Sequence, residues 1–126
     1  MGKYSGLPLT WTDSPDDNDY KDCYDFLCGM YADDGQARAM LTALKAAPVR
    51  KMAAKNLIRA NGTRYEGKKA RKQRLKQIKS GQPLNPILVV RGDPQTGRRL
   101  LIADGFSRTH AALKTDPEAT VMAKMA

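Results

Sequence analysis

Histidine and cysteine are scarce in this chain: His110 stands alone, and Cys23 and Cys28 are the two thiols. A zinc site needs about four ligands. The cysteine spacing lacks a second ligand pair and His110 is far away in sequence, so a metal centre of that kind is not expected. Two reduced thiols in or near a core is the plain reading. Long hydrophobic runs are also missing, and nothing approaches the roughly 20 apolar residues of a membrane span. The first residues are polar and then acidic, unlike a secretory signal. A cytoplasmic protein with no membrane partner is the expectation. Outside the acidic N-terminal third the carboxylates reduce to Glu66, Asp93, Asp104, Asp116 and Glu118. That is a thin supply for a metal-dependent nuclease, which needs several convergent acids.

What is present is positive charge, unevenly placed. The 126 residues carry a net charge of +9, and one domain is the prior at this length. Residues 1–34 hold eight aspartates (Asp13, Asp16, Asp17, Asp19, Asp22, Asp25, Asp33, Asp34) against Lys3 and Lys21, a balance of −6. Residues 45–79 hold thirteen Lys or Arg against Glu66 alone, a balance of +12. This reads as an acidic arm and a basic body that attracts polyanions. Residues 1–19, rich in Pro, Asp, Gly and Ser, are expected to be a flexible acidic arm able to fold over the basic surface. Residues 20–126 are expected to form the single domain. Asp16, Asp17, Asn18, Asp19 and Asp22 lie close together but lack the spacing and closing glutamate of an EF-hand.

The pattern changes along the chain from helical to extended. Tyr20 to Tyr31 reads as a short helix, and 35–47 as a helix capped by Asp33-Asp34, with Ala37, Met40, Leu41 and Leu44 inward. Residues 48–60 read as another helix opened by Pro48, with Met52, Ala53, Leu57 and Ile58 inward, and Asn61-Gly62 stops it. Tyr65 to Gly81 reads as a third, anchored by Leu75 and Ile78 and otherwise cationic. From Pro83 the period becomes that of strands. Pro86 to Arg91 and Arg98 to Ala103 flank the turn cluster 92–97, residues 106–114 are a helix, and 120–125 a final strand. The fold class expected is α+β: N-terminal helices, then a small mixed sheet.

The chemistry concentrates where a strand meets a helix through glycine, at Leu101-Ile102-Ala103-Asp104-Gly105-Phe106-Ser107-Arg108. Free amides at a helix N-terminus attract anions, and Arg108 adds a bidentate donor. A phosphate pocket is the functional reading, with Gly105, Ser107, Arg108 and His110 as its residues. Gly105 is equally what the tight turn alone requires. Asp104 reads as a helix cap, a ligand of a cation bridging phosphates, or a base. His110 faces either the pocket or solvent. Arg64, Lys68, Lys69, Arg71, Lys72, Arg74 and Lys76 form a basic cluster suited to a nucleic-acid backbone. An acidic partner protein, or the chain's own arm, would suit it too. Only Tyr65 interleaves as an aromatic, which disfavours a base-stacking platform for single strands.

The order of helix, Leu84-Asn85-Pro86-Ile87-Leu88-Val89-Val90 strand, turn, Leu101 to Gly105 strand and Phe106-Ser107-Arg108 helix resembles the ParB/sulfiredoxin superfamily. There a Gly-x-x-Arg turn reads Gly-Glu-Arg-Arg in ParB, which binds a cytidine triphosphate, and Gly-Cys-His-Arg in sulfiredoxin, which binds ATP. Small stand-alone bacterial relatives read Asp-Gly-Tyr-His-Arg, nearest to Asp104-Gly105-Phe106-Ser107-Arg108. The resemblance covers about residues 68–126, with its core over 83–126, and extends upstream through Ala54 to Ala60. It implies a ParB/sulfiredoxin-like sheet, with Gly105 and Arg108 as the motif residues. It implies a nucleoside triphosphate with Mg as the ligand of the turn. Phe106 stands where sulfiredoxin has its catalytic cysteine, so sulfinic-acid reduction is not implied. Ser107 replaces a cationic donor with a hydroxyl. His110 lies where ParB has another arginine. No Glu-Asn-x-x-Arg segment or helix-turn-helix follows the turn. The leading expectation is a ParB-like, DNA-associated binding protein of bacterial or phage type. The alternatives are a nucleotide-dependent phosphotransferase or nuclease using Asp104, and a regulatory module, with a protein partner or as a homodimer, that occupies an acidic surface.

Overall fold

The computed structural model describes residues 2–62 and 67–126. The chain is α+β. Its described elements are α1 (Asp17–Met30), α2 (Asp34–Ala46), β1 (Val49–Ala53), α3 (Ala54–Asn61), α4 (Lys68–Lys79), β2 (Ile87–Val90), β3 (Leu101–Asp104), α5 (Phe106–Thr115) and β4 (Thr120–Met125). The strands form one mixed sheet in the order β1-β4-β2-β3. β4 pairs antiparallel with β1 and parallel with β2, and β2 pairs antiparallel with β3.

Four consecutive apolar residues make β2 a strand that must be covered on both faces. Side chains alternate across a strand. Ile87 and Val89 therefore join Ala54, Leu57, Ile102, Ala112, Val121 and Ala123 on one side. Leu88 and Val90 join Cys23, Leu27, Ala37, Leu44 and Ala103 on the other. Helices α1 and α2 cover the second face, and α3 and α5 the first. Helix α4 lies outside α5, where Leu75 and Ile78 meet Leu84 and Ala111. Lys124 is buried on β4, with its Nζ donating to the Lys45 carbonyl in the last turn of α2 at 2.7 Å. A cation on such a carbonyl also suits the helix dipole. Buried Asn61 accepts a hydrogen bond from the Ile102 amide at 2.9 Å, which ties the end of α3 to β3. Gly62, at φ +70°, terminates α3.

Two expectations are corrected. Residues 48–60 are not one helix. Val49 to Ala53 is an edge strand paired with Thr120–Lys124, and the helix begins at Ala54. Strand pairing with a segment at the far end of the chain overrides local helical spacing there. Its exposed Arg50 and Lys51 sit on the sheet edge, where cations discourage further pairing.

Residues 2–19, read as an arm, pack against the body. Leu7, Leu9 and Trp11 pack against the core clusters, and Pro15 is buried. The Gly6 amide donates to the Thr115 carbonyl at 2.8 Å. Thr12 N donates to Leu84 O, and Leu84 N to Thr10 O, each at 2.8 Å. Asp16 then caps α1, accepting from the Asp19 amide at 2.8 Å, while Asp19 Oδ2 accepts from the Asp16 amide at 3.1 Å. That reciprocal pair is a capping box, and it starts α1 at Asp17 rather than Tyr20. The apolar residues at 7, 9 and 11 alternate as an extended segment does, which the polar composition around them hides.

Candidate functional site

The turn from β3 into α5 is built around Gly105. Its φ of +104° lies in the region that side chains avoid. A Cβ there would stand 2.7 Å from Ile87 Cβ, so glycine also lets α5 close onto β2. As the N-cap of α5, Gly105 has no side-chain oxygen to offer. Asp104 is therefore not the cap; its carboxylate is turned toward Arg108 one turn along.

Arg108 is 3% exposed. Its Nη2 donates to Asp104 Oδ2 at 2.6 Å and to Asp19 Oδ1 at 3.0 Å. Its Nη1 donates to the carbonyls of Asn85 at 2.6 Å and Pro86 at 3.2 Å. Asn85 extends the network, with Nδ2 donating to Asp16 Oδ2 and Asp19 Oδ2, both at 2.9 Å. Thr12 Oγ1 donates to Asn85 Oδ1 at 2.8 Å. The guanidinium thus locks the N-terminal segment, the entry to β2 and the β3–α5 turn into one polar knot. Arg108 Nε is buried with no hydrogen-bond partner among the described residues.

The two carboxylates are driven apart in proton affinity. Burial pushes Asp104 up to about 7, against the pull of Arg108 and with the help of the neighbouring Asp19 carboxylate. Burial also acts to raise Asp19. It is outweighed by the Arg108 charge, the Asp16 amide and bonds from Asp104 and Asn85, so Asp19 is held below its ordinary value. Asp104 is the member of the pair that exchanges a proton near neutrality. Cys23 is pushed up to about 12 by burial and then by the Asp104 charge, so its thiol is inert.

A cavity of about 460 Å³ opens beside this knot. Gly105, Phe106 and Ser107 at the start of α5 form one wall. Phe26 of α1, Ala70 of α4 and Leu101 to Ala103 of β3 supply apolar walls, and Asp104 reaches its edge. The structure therefore brings Asp104, Gly105 and Ser107 to one cavity, while Arg108 is not among the residues that line it. His110 instead packs edge-on to Phe106, with ring centroids 4.8 Å apart. Burial, then the charges of Arg71 and Lys114, hold His110 below its ordinary value.

Helix α4 carries Lys68, Lys69, Arg71, Lys72, Arg74, Lys76 and Lys79, with Leu75 and Ile78 buried. At about 3.6 residues per turn, Lys68, Lys69, Lys72, Lys76 and Lys79 fall within an arc of roughly 100°. All five are exposed. Arg71 and Arg74 are half-buried on the side of Leu75 and Ile78, and Arg74 Nη1 donates to Gln77 Oε1 at 3.1 Å. Arg64 and Tyr65 lie outside the described residues.

Sequence reasoning missed Asp19, Asn85, Asp16 and Thr12 as parts of this site. The spacing of Asp16 and Asp19 is a capping-box signal. No local signal points to Asn85, whose role depends on the meeting of two distant segments. Among the described residues no helix is long and apolar enough to cross a membrane, and no three His, Cys, Asp or Glu side chains converge as metal ligands. No protein-family model, curated protein or solved structure matches the chain.

Proposed function

We propose that this is a ParB-like, DNA-associated binding protein whose helix α4 lies along a nucleic-acid backbone. The observation that carries the reading is α4 itself: seven cations and no acid in twelve residues, with five lysines exposed on one side. Such a helix repels itself, and its first-turn cations oppose the helix dipole. A polyanion along that side relieves both. Phosphate contacts position a protein without reading sequence, so the mode is backbone-directed. Binding of a mixed-sequence duplex should weaken with salt at a log–log slope of roughly −0.9 per phosphate neutralised. A salt-insensitive complex, or none, defeats the reading.

The β3–α5 cavity is the second element of this function, a site for a phosphate-bearing ligand such as a nucleoside triphosphate. The uncapped start of α5 and the Ser107 hydroxyl fit one phosphate group there. The apolar walls suit a base. Mg²⁺ accompanying a triphosphate would supply charge neutralisation to its phosphates. Arg108, held by two carboxylates, acts in this reading as the support of the turn. A nucleotide that raises the melting temperature of wild type and leaves Ser107→Glu unmoved supports the site. No shift with CTP, ATP or GTP, with or without magnesium, removes it.

One observation favours an enzymatic second reading: an acid–base group poised near neutrality at the edge of a cavity. Asp104 would then serve a phosphotransferase or nuclease as its base. Turnover that survives Asp104→Asn excludes that role.

A further inference from the structure

We propose a phosphate clamp, separate from the β3–α5 cavity, in which Lys3, Lys72 and Lys114 grip one phosphodiester group of a nucleic-acid backbone between the N-terminal segment and helices α4 and α5. The proposal rests on the α4 reading above and extends it to residues outside that helix.

A cleft of about 300 Å³ lies there, lined by Lys3, Tyr4, Arg71, Lys72, Leu75 and Lys114 together with Gly2. Three segments far apart in sequence supply its cations, and among the described residues no carboxylate lines it. Eight of the protein's thirteen acids lie in residues 1–34. Apolar packing brings these segments together. Tyr4 and Leu7 pack with Leu75, Ile78 and Ala111, and the Gly6 amide is bonded to the Thr115 carbonyl at the end of α5. A fold that converges cations from three directions leaves a positive potential that an anion neutralises.

That potential is felt nearby. His110, one turn before Lys114, is held below its ordinary value by burial and then by Arg71 and Lys114. Lys114 sits in the last turn of α5, a position its charge favours. Lys3 Nζ stands 5.6 Å from the Tyr4 ring centroid, a cation–π contact between two residues that line the cleft. Lys72 belongs to the cleft and to the lysine arc of α4 at once. The cleft thus continues the α4 face, and this continuity points to a phosphate of a chain laid along the helix rather than to a free anion.

The test is anisotropy titration of a labelled mixed-sequence duplex across a salt series. It uses wild type, Lys3→Ala, Lys114→Ala, the double variant, and Lys69→Ala/Lys76→Ala on the outer side of α4. Lys3 and Lys114 are exposed, so the fold tolerates their loss. Each clamp variant should weaken binding several-fold and lower the salt slope by up to about 0.9, one phosphate's share. The double variant should lose less than the product of the two single losses, because both lysines hold one phosphate. Wild-type affinity and slope in Lys3→Ala and Lys114→Ala, with weaker binding by Lys69→Ala/Lys76→Ala, overturn the clamp and leave the α4 reading standing. Multiplicative losses in the double variant also overturn it, since the lysines then act on separate phosphates. If wild type binds no duplex, both readings fall.

Discussion

Arg108 and the lysines of α4 carry the same charge and meet opposite fates. Arg108 is buried and held by two carboxylates and two backbone carbonyls. Lys68, Lys69, Lys72, Lys76 and Lys79 stand in solvent along one side of a helix without an acid. The first cation organises the fold; the second set is left for something outside it. A buried guanidinium is tolerated only with good partners, whereas exposed lysines cost little and attract at long range. The contrast sorts the basic residues by what the fold has already done with them.

The largest blow to that contrast would come from Arg108→Ala. It strands Asp19 and Asp104 in the interior, and a loss of about 3–5 kcal/mol in denaturant unfolding is expected. A loss no greater than that of an α4 lysine would mean that the knot is not what holds the turn. Gly105→Ala should follow at about 2–4 kcal/mol, from positive φ and from overpacking against Ile87. A near-neutral result would show that the turn and α5 shift freely away from β2.

The pH dependence sharpens the comparison on the side of the Arg108 knot. Asp104 is raised from 3.8 when unperturbed to about 7 in the fold. Its contribution is fully present below the lower value and lost as pH rises through the upper one. Asp19 is lowered, so its contribution is present above its unfolded value and lost as pH falls through its folded one. Asp104→Asn cannot ionise. Its stability relative to wild type should therefore improve as pH rises from about 4 to 7, measured by unfolding at several pH values. A difference that stays constant across that range would show that Asp104 does not titrate there.

Asp16→Ala removes the cap of α1 and should cost about 1 kcal/mol. It should also release Asn85, visible as faster amide exchange at Leu84 and Ile87; unchanged exchange would confine Asp16 to its own helix. Lys76→Ala stands at the small end. Its melting temperature should stay within about 2 °C of wild type while duplex affinity falls. A marked loss of stability would put Lys76 with Arg108 instead.

Much of the site was legible where the signals are local. Asp104, Gly105 and Arg108 follow from a strand, a glycine and a helix in immediate succession. Their partners did not follow, because Asp19 and Asn85 arrive from segments that only the folded chain brings near. Arg108 was expected to present itself to a ligand; its guanidinium is buried against carboxylates and carbonyls. Its desolvated charge needs carboxylates, and the segment expected to be a free arm supplies one of them. Asp104 was read first as a cap, but the guanidinium one turn away is the stronger partner.

The sequence by itself determined the α+β class, the two-sided burial of Ile87 to Val90, the helix that starts after Gly105, and the segregation of acid from base. These rest on runs, periods and backbone freedoms within a few residues. Tertiary structure alone decided that Val49 to Ala53 is a strand, that the first residues pack on the body, and that Asp19 neutralises Arg108. Each of those depends on pairing between distant segments. The free energy of such pairing, through shared hydrogen bonds, excluded water and opposed charge, belongs to both partners and is written in neither one's local pattern.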